Sequence, residues 1–187
     1  MVLSDFCLMP HDMLPLFIFE PRYREMLRQA IHSNRMFCVG MRYAGTAGEE
    51  HSDVYPFSTA GIVRACVHHG DGTSHLMLQG VQRVRFTGWE QGEPFRIARI
   101  EPVTTRISCP QELPQLREQV IERAVNLLNG SAPPDRADKL RSIADSEMLA
   151  DFIASQFLND PASRMELLGM DDLNRRLRYL GGLLGPA

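Results

Sequence analysis

GIVRACVHHGDGTSHLMLQGVQRVRFTGW, residues 61–89, sets an Asp-Gly pair between two β-prone runs. Ile62, Val63, Ala65 and Val67 lead into Gly70-Asp71-Gly72-Thr73, and Leu76, Leu78, Val81, Val84 and Phe86 follow. A tight hairpin turn needs positive φ at its centre, which Asp-Gly supplies at little cost. A second break is expected at Gly80, after which Val-Gln-Arg-Val-Arg-Phe alternates like a strand with one wet face. The stretch predicts a β-meander.

Working outward, residues 2–9 and 14–19 read as short strands around a Pro10-His11-Asp12 turn. Pro21 suits a first helical position. Tyr23, Met26, Leu27, Ala30 and Ile31 then share one helical face, and Asn34 ends it. Met36–Tyr43 reads as an apolar strand, 44–53 as an exposed loop, 54–57 as more sheet and 95–103 as a last strand. The character changes near residue 105. Ser108-Cys109-Pro110-Gln111 has capping-box spacing, and Leu113, Leu116, Val120, Ala124 and Leu127 form a helical stripe. Asn129–Pro134 breaks it. Three shorter helices are expected: around Leu149–Phe157, from Asp160-Pro161 to Gly169, and from a cap at Asp171 through Leu173, Leu177, Leu180 and Leu184.

Three segments carry a family resemblance. Residues 71–85, from Asp71-Gly72-Thr73 through Gly80 to Arg83 and Arg85, are similar to the central signature of the Lon protease N-terminal (LON) domain family. Residues 14–27, with Phe19-Glu20-Pro21-Arg22-Tyr23 at their centre, resemble its opening motif. Leu167-Leu168, Asp171-Asp172 and Arg176 to Leu184 resemble its helical closing segment. The matches fall in the family's order. One place departs: Leu8-Met9-Pro10-His11-Asp12 stands where the family has a Phe-Pro-Gly turn. The resemblance implies an α+β fold. A PUA-like twisted β-barrel or sheet lobe with one early helix (1–105) would precede an α-helical lobe (108–187), the two forming one LON domain.

A chain of 187 residues, 44% apolar, can bury a substantial core. The net charge of −3 does not point to nucleic acid, and no apolar run nears the roughly 20 residues of a bilayer span. No leader pattern is read at the start, so a soluble cytoplasmic protein is expected. Nineteen of the twenty basic residues are arginine, which we read as base composition rather than phosphate recognition. No Gly-Lys-Ser/Thr P-loop occurs. The lone lysine, Lys139, lies among Asp135, Arg136, Asp138 and Arg141, a solvated setting unlike the desolvated pocket of a base. ATPase and protease chemistry are therefore not expected, no acid/base pair stands out, and no cofactor is called for. The resemblance implies the non-catalytic part of the family's machinery, here expected as a free-standing domain. Cys7, Cys38, Cys66 and Cys109 are widely spaced and read as small buried hydrophobes rather than zinc ligands or disulfides.

Candidate sites follow from chemistry. His68, His69 and His75 flank Asp71, but neighbours on a strand face opposite ways, so a shared metal ion is not expected. Glu20 is expected to tie the start of the first helix to an arginine of the sheet, Arg83 or Arg85; an anion cleft is the alternative. Met9, Met13, Met26, Met36, Met41 and Met77 enrich the first lobe in adaptable thioethers. Met41, Tyr43, Tyr55 and Phe57 bracket the 44–53 loop and are the candidate polypeptide-contacting rim, with core packing as the alternative. Trp89 and Phe95 flank Gly92 as sticky tips or a cross-strand pair. The leading expectation is a binding module for unfolded or apolar polypeptide segments, acting in proteostasis, with a Lon-type protease or self-association as further partners. RNA binding through the arginines of 81–86 and 95–100, and a small-molecule pocket between the lobes, are the other readings.

Overall fold

The computed structural model describes residues 1–43, 45, 53–90, 94–127 and 135–185. These divide into two compact units, Met1–Val103 and Thr104–Ala187. The fold class is α+β, as expected.

The first unit contains β1 (Val2–Leu3), β2 (Met13–Ile18), α1 (Pro21–His32), β3 (Met36–Met41), β4 (Phe57–His68), β5 (Ser74–Glu90) and β6 (Ile97–Pro102). The strands run in the order β1-β3-β4-β5-β2, and β6 also pairs with β5. Only β1 and β3 are parallel. The β4–β5 hairpin forms at Asp71-Gly72. The Gly72 N–H donates to His69 C=O at 3.0 Å and the His69 N–H to Thr73 C=O at 2.9 Å, with Gly72 alone in the turn at positive φ, +81°. This is a turn closed by one left-handed residue, and glycine takes that conformation without Cβ strain. The Asp71 carboxylate accepts from the Thr73 N–H and hydroxyl at 2.9 and 2.7 Å.

No break occurs at Gly80. Strand β5 continues through it for 17 residues, with a bulge just beyond: Gly80 lies opposite Gly61 and Gln82 opposite Ala60, leaving Val81 as the extra residue on β5. Gly80 instead admits another piece of backbone. A Cβ there would lie 2.2 Å from the Met9 carbonyl oxygen. The His11 N–H donates to Gly80 C=O and the Gly80 N–H to Asp12 C=O, both at 2.9 Å. The Thr59 hydroxyl donates to Leu8 C=O at 2.6 Å from the other side. Residues 7–10 are thus buried by tertiary contacts and not by a ladder, and the expected strand over 2–9 shrinks to Val2–Leu3. The expected strand over 54–57 likewise shrinks: Val54 makes one bridge to Arg42, and β4 begins at Phe57.

The Met9-Pro10-His11-Asp12 turn explains the departure noted above. The Asp12 N–H donates to Met9 C=O at 3.2 Å, and His11 has φ +67°. Pro then positive φ is the type II pattern, whose third residue prefers glycine. His11 stands in this glycine-favouring conformation.

Inside the sheet, Leu14, Ile18, Val39, Val63, Leu76 and Leu78 form one core with Leu8 and with Leu27 of α1. Helix α1 buries Met26, Leu27 and Ala30, three of its five expected positions; Tyr23 and Ile31 are partly buried against the same core. The Tyr23 hydroxyl accepts from the Val2 N–H at 3.3 Å and donates to Val2 C=O at 3.2 Å, which holds β1.

The second unit holds α2 (Leu113–Leu127), α3 (Asp135–Ser142), α4 (Ser146–Phe157), α5 (Pro161–Gly169) and α6 (Leu173–Leu183). Leu173, Leu177, Leu180 and Leu184 are all buried, as their spacing predicts. Asp160 and Asp145 cap α5 and α4 through side-chain oxygens. Four sequence expectations change. The α6 cap is Asp172, one residue past Asp171, because Arg106 pairs with this segment as an isolated parallel bridge. Ser108 opens no capping box: turns at 110–112 precede α2, which begins at Leu113. On α2, Ile121 is buried beside Val120 and Ala124 while Leu127 is exposed, so the stripe is rotated. Helix α3 occupies the charged segment around Lys139 that gave no apolar period. The expected break at 129–134 lies outside the described residues.

Arg176 organises this unit. It is fully buried, donating to Met170 C=O at 2.7 Å, the Thr105 hydroxyl at 3.2 Å and the Glu147 carboxylate at 3.1 Å. A buried guanidinium is tolerable only when paired and bonded in this way.

Two results should follow. Gly80→Ala should lose about 3 kcal/mol in urea unfolding, since neither backbone can move aside, whereas His11→Gly should gain up to about 1 kcal/mol by relieving a left-handed L-residue. Acid sensitivity gives the second. Burial pushes the Asp172 carboxyl up, but the Arg175 N–H, the Ser108 hydroxyl, Arg106 and the Asn174 N–H outweigh it and hold the carboxyl below its usual value. A depressed folded pKa contributes stability that is present above the unfolded value, about pH 4, and lost as pH falls through the folded one. Asp172→Asn should therefore flatten the fall in stability between about pH 4 and pH 2 in acid titrations followed by circular dichroism.

Candidate functional site

Alternation along β2, β5 and β4 sends every second side chain to the face opposite the core. The register brings those residues into rows: Phe17, His75 and Val67; Pro15, Met77 and Ala65; Met13, Gln79 and Ile62. The intervening rows, Leu16-Leu76-Cys66 and Leu14-Leu78-Val63, face the core. The outer rows are not covered. Phe17 is 49% exposed, Val67 59% and Met13 47%, and Phe19, just past the strand, is 59% exposed. Phe17 stacks on His75 at 4.6 Å and on Phe19 at 5.8 Å between ring centres. With strands about 4.8 Å apart and rows about 6.8 Å apart, the face measures roughly 10 by 14 Å. This small strip of aromatic, thioether and aliphatic groups on one face of the sheet is a candidate contact surface for another apolar group.

The edge beside this face lacks one donor that an added strand would use. Strand β2 is the outermost strand on its side, and Pro15 sits at its centre. Proline has no N–H to give an incoming strand.

Its wet end carries the histidines. His69 and His75 ring nitrogens lie 2.8 Å apart, while His68 turns to the Ser74 hydroxyl at 2.9 Å. Among the described residues no group of three His, Cys, Asp or Glu is arranged to hold a metal ion.

The remaining candidates separate. Met41 is 4% exposed and belongs to the core, so it is removed from the expected rim. Tyr43 and Tyr55 do meet, with ring centres 4.0 Å apart, and Phe57 is half-buried at the start of β4. Met9 and Met26 are buried as well; of the six methionines, Met13 and Met77 reach the outer face. Glu20 does not reach the sheet arginines. It pairs with Arg22 at 2.9 Å, and Arg85 pairs with Glu101 at 3.1 Å. Arg83 is buried. Arg24, rather than Glu20, joins α1 to the hairpin: its guanidinium lies where a Cβ on Gly72 would stand. The outer face was missed as a unit because its rows cross three strands, although Met13-Pro15-Phe17 and Ala65-Val67 alternate visibly in sequence.

Trp89 and Phe95 are neither tips nor a cross-strand pair. Trp89 pairs with Ala98, its ring lies 4.9 Å from Phe86, and both Trp89 and Phe95 line a groove of about 320 Å³ made by residues of the first unit. Gly92 lies outside the described residues.

Comparison with known proteins fits this architecture. Residues 1–185 match the family described as the ATP-dependent protease La (LON) substrate-binding domain. The chain is 28% identical over 186 residues to Lon protease of Escherichia coli K12, and 23% identical over 175 residues to Lon protease of Dictyoglomus thermophilum. These alignments take in 97% and 90% of this chain but 24% and 22% of those proteins, so the chain spans about a quarter of their length. Among solved structures, the N-terminal domain of Mycobacterium avium complex Lon protease superposes with a TM-score of 0.78 at 15% identity, covering 98% of this chain and 95% of that one. A Lon N-terminal domain protein from Xanthomonas campestris gives 0.67 at 21% identity, covering 96% and 94%. The chain belongs to the LON substrate-binding domain family.

Proposed function

We propose that this protein holds unfolded or apolar polypeptide segments on the outer face of β2, β5 and β4, and that it does so without chemistry of its own. The carrying observation is the set of exposed rows through Phe17-His75-Val67 and Pro15-Met77-Ala65. Membership of a family described as substrate-binding supports the same reading. A face roughly 14 Å long accommodates about four residues of extended chain at 3.3 Å each. Methionine and aromatic groups adapt to varied apolar side chains, which suits a ligand defined by greasiness rather than by sequence. The Tyr43–Tyr55 pair, with Phe57 nearby, is a separate candidate contact at the other end of β4. The Lon relatives support, as part of this proposal, delivery of the held segment to a Lon-type protease or an adaptor role in protein quality control in the cytoplasm. No helix among the described residues is long and apolar enough to cross a membrane.

The geometry does not support an RNA surface. Arg85 faces Glu101 at 3.1 Å, Arg99 faces Glu90 at 3.9 Å and Arg96 faces Asp53 at 3.0 Å. Those pairs supply no uncompensated basic stripe among the described residues, and phosphate binding depends on one.

Phe17→Ser together with Val67→Ser should weaken binding of a permanently unfolded, carboxymethylated protein by tenfold or more. Burying two half-exposed apolar groups contributes about 2 kcal/mol. Melting should shift little, because both side chains are exposed at the start. Fluorescence anisotropy at about 50 mM and 500 mM salt should give affinities within roughly twofold, since apolar contact is not screened. Unchanged affinity in the double variant, or a steep fall with salt, would remove the face from the function. Loss of binding in Tyr43→Ser with the face variant intact would move the site to the tyrosine pair.

A further inference from the structure

The groove beside Trp89 is a separate feature from the outer face. Phe37, Phe86, Trp89 and Phe95 contribute its aromatic walls, with Met36 among its thioethers. Arg96 is the one charged side chain among its described lining residues, and no described carboxylate lines it. Arg96 Nη1 lies 3.0 Å from Asp53 Oδ1, and Arg42 Nε lies 3.3 Å from Asp53 Oδ2. Asp53 is buried, so among the described residues two guanidiniums share a single carboxylate, and one positive charge is left over beside an apolar hollow. About 320 Å³ is at the small end of the range for small-molecule sites, roughly 300–1,000 Å³.

We propose that this groove binds a free, small aromatic carboxylic acid, with its ring among Phe37, Phe86, Trp89 and Phe95 and its carboxylate on the Arg96 guanidinium. Rings take offset or edge contacts with such walls. The planar guanidinium offers donors in a fork that matches a carboxylate, and its Asp53 bond fixes the fork from behind. Nothing in this assignment depends on the outer face, so it goes beyond the polypeptide reading and fails separately from it.

Trp89 is the only tryptophan in the chain, so its emission reports directly on the groove. Titration of the full chain with 3-phenylpropionate should change Trp89 emission saturably. The amide, 3-phenylpropionamide, should bind about tenfold more weakly, because it lacks the charge-assisted bond. Arg96→Gln should bring the acid down to the affinity of the amide. Ala98→Leu narrows the groove without touching Arg96, and should weaken acid and amide alike. The double variant Phe17→Ser with Val67→Ser should leave all of these titrations unchanged. Absence of a saturable Trp89 response, or equal affinity for acid and amide in the unaltered protein, overturns the proposal. So does tighter binding by a peptide ending in a free Phe carboxylate than by the free acid, which would make the occupant a chain end.

Discussion

Two backbones meet at Gly80 with no side chain between them. The Met9 carbonyl stands where a Cβ would be, and a pair of hydrogen bonds joins residues 11 and 12 to Gly80. This contact fixes where the chain leaves the Pro10-His11 turn and so fixes the register of β2 on β5. Register matters here more than the strength of any one pair. A slip of one residue would turn Leu14, Leu16 and Ile18 to water and Met13, Pro15 and Phe17 inward. The core and the outer face are two sides of that one alignment.

The hairpin tip shows a similar economy. Gly72 closes the β4–β5 turn in the left-handed conformation, and Arg24 of α1 fills the space that a side chain there would take. Helix α1 is thereby linked to the far end of the sheet by a charged group, while Leu27 anchors its other face in the core. In the second unit Arg176 has the corresponding place. It gathers Thr105, Glu147 and the Met170 carbonyl around a buried charge, which holds one arrangement of α4, α5 and α6 at a cost in desolvation.

Much of this was legible in the residues. The Asp-Gly hairpin, the face of α1, the Leu173-Leu177-Leu180-Leu184 stripe and the Asp160-Pro161 start are local signals, and local signals survive folding. Long-range contacts were not legible. Nothing near Gly80 announces that Met9 will approach it, so its glycine reads as a strand break. Leu8 and Met9 read as strand because they are apolar, yet tertiary bonds bury them. Helix α3 has too few apolar residues to register a period. Of the candidate site, the methionine enrichment was visible, but which thioethers face outward depends on pairing across three strands. Met41 went inward and Met13 outward for that reason.

Pro15 has one more consequence. Were unfolded chains held on this open sheet, as proposed, a guest could join the sheet as another strand and recruit further guests. With proline at the middle of the outermost strand, the ladder has a missing rung where growth would start. A guest on the proposed face would be held by its side chains and let go, without seeding a fibre on its host.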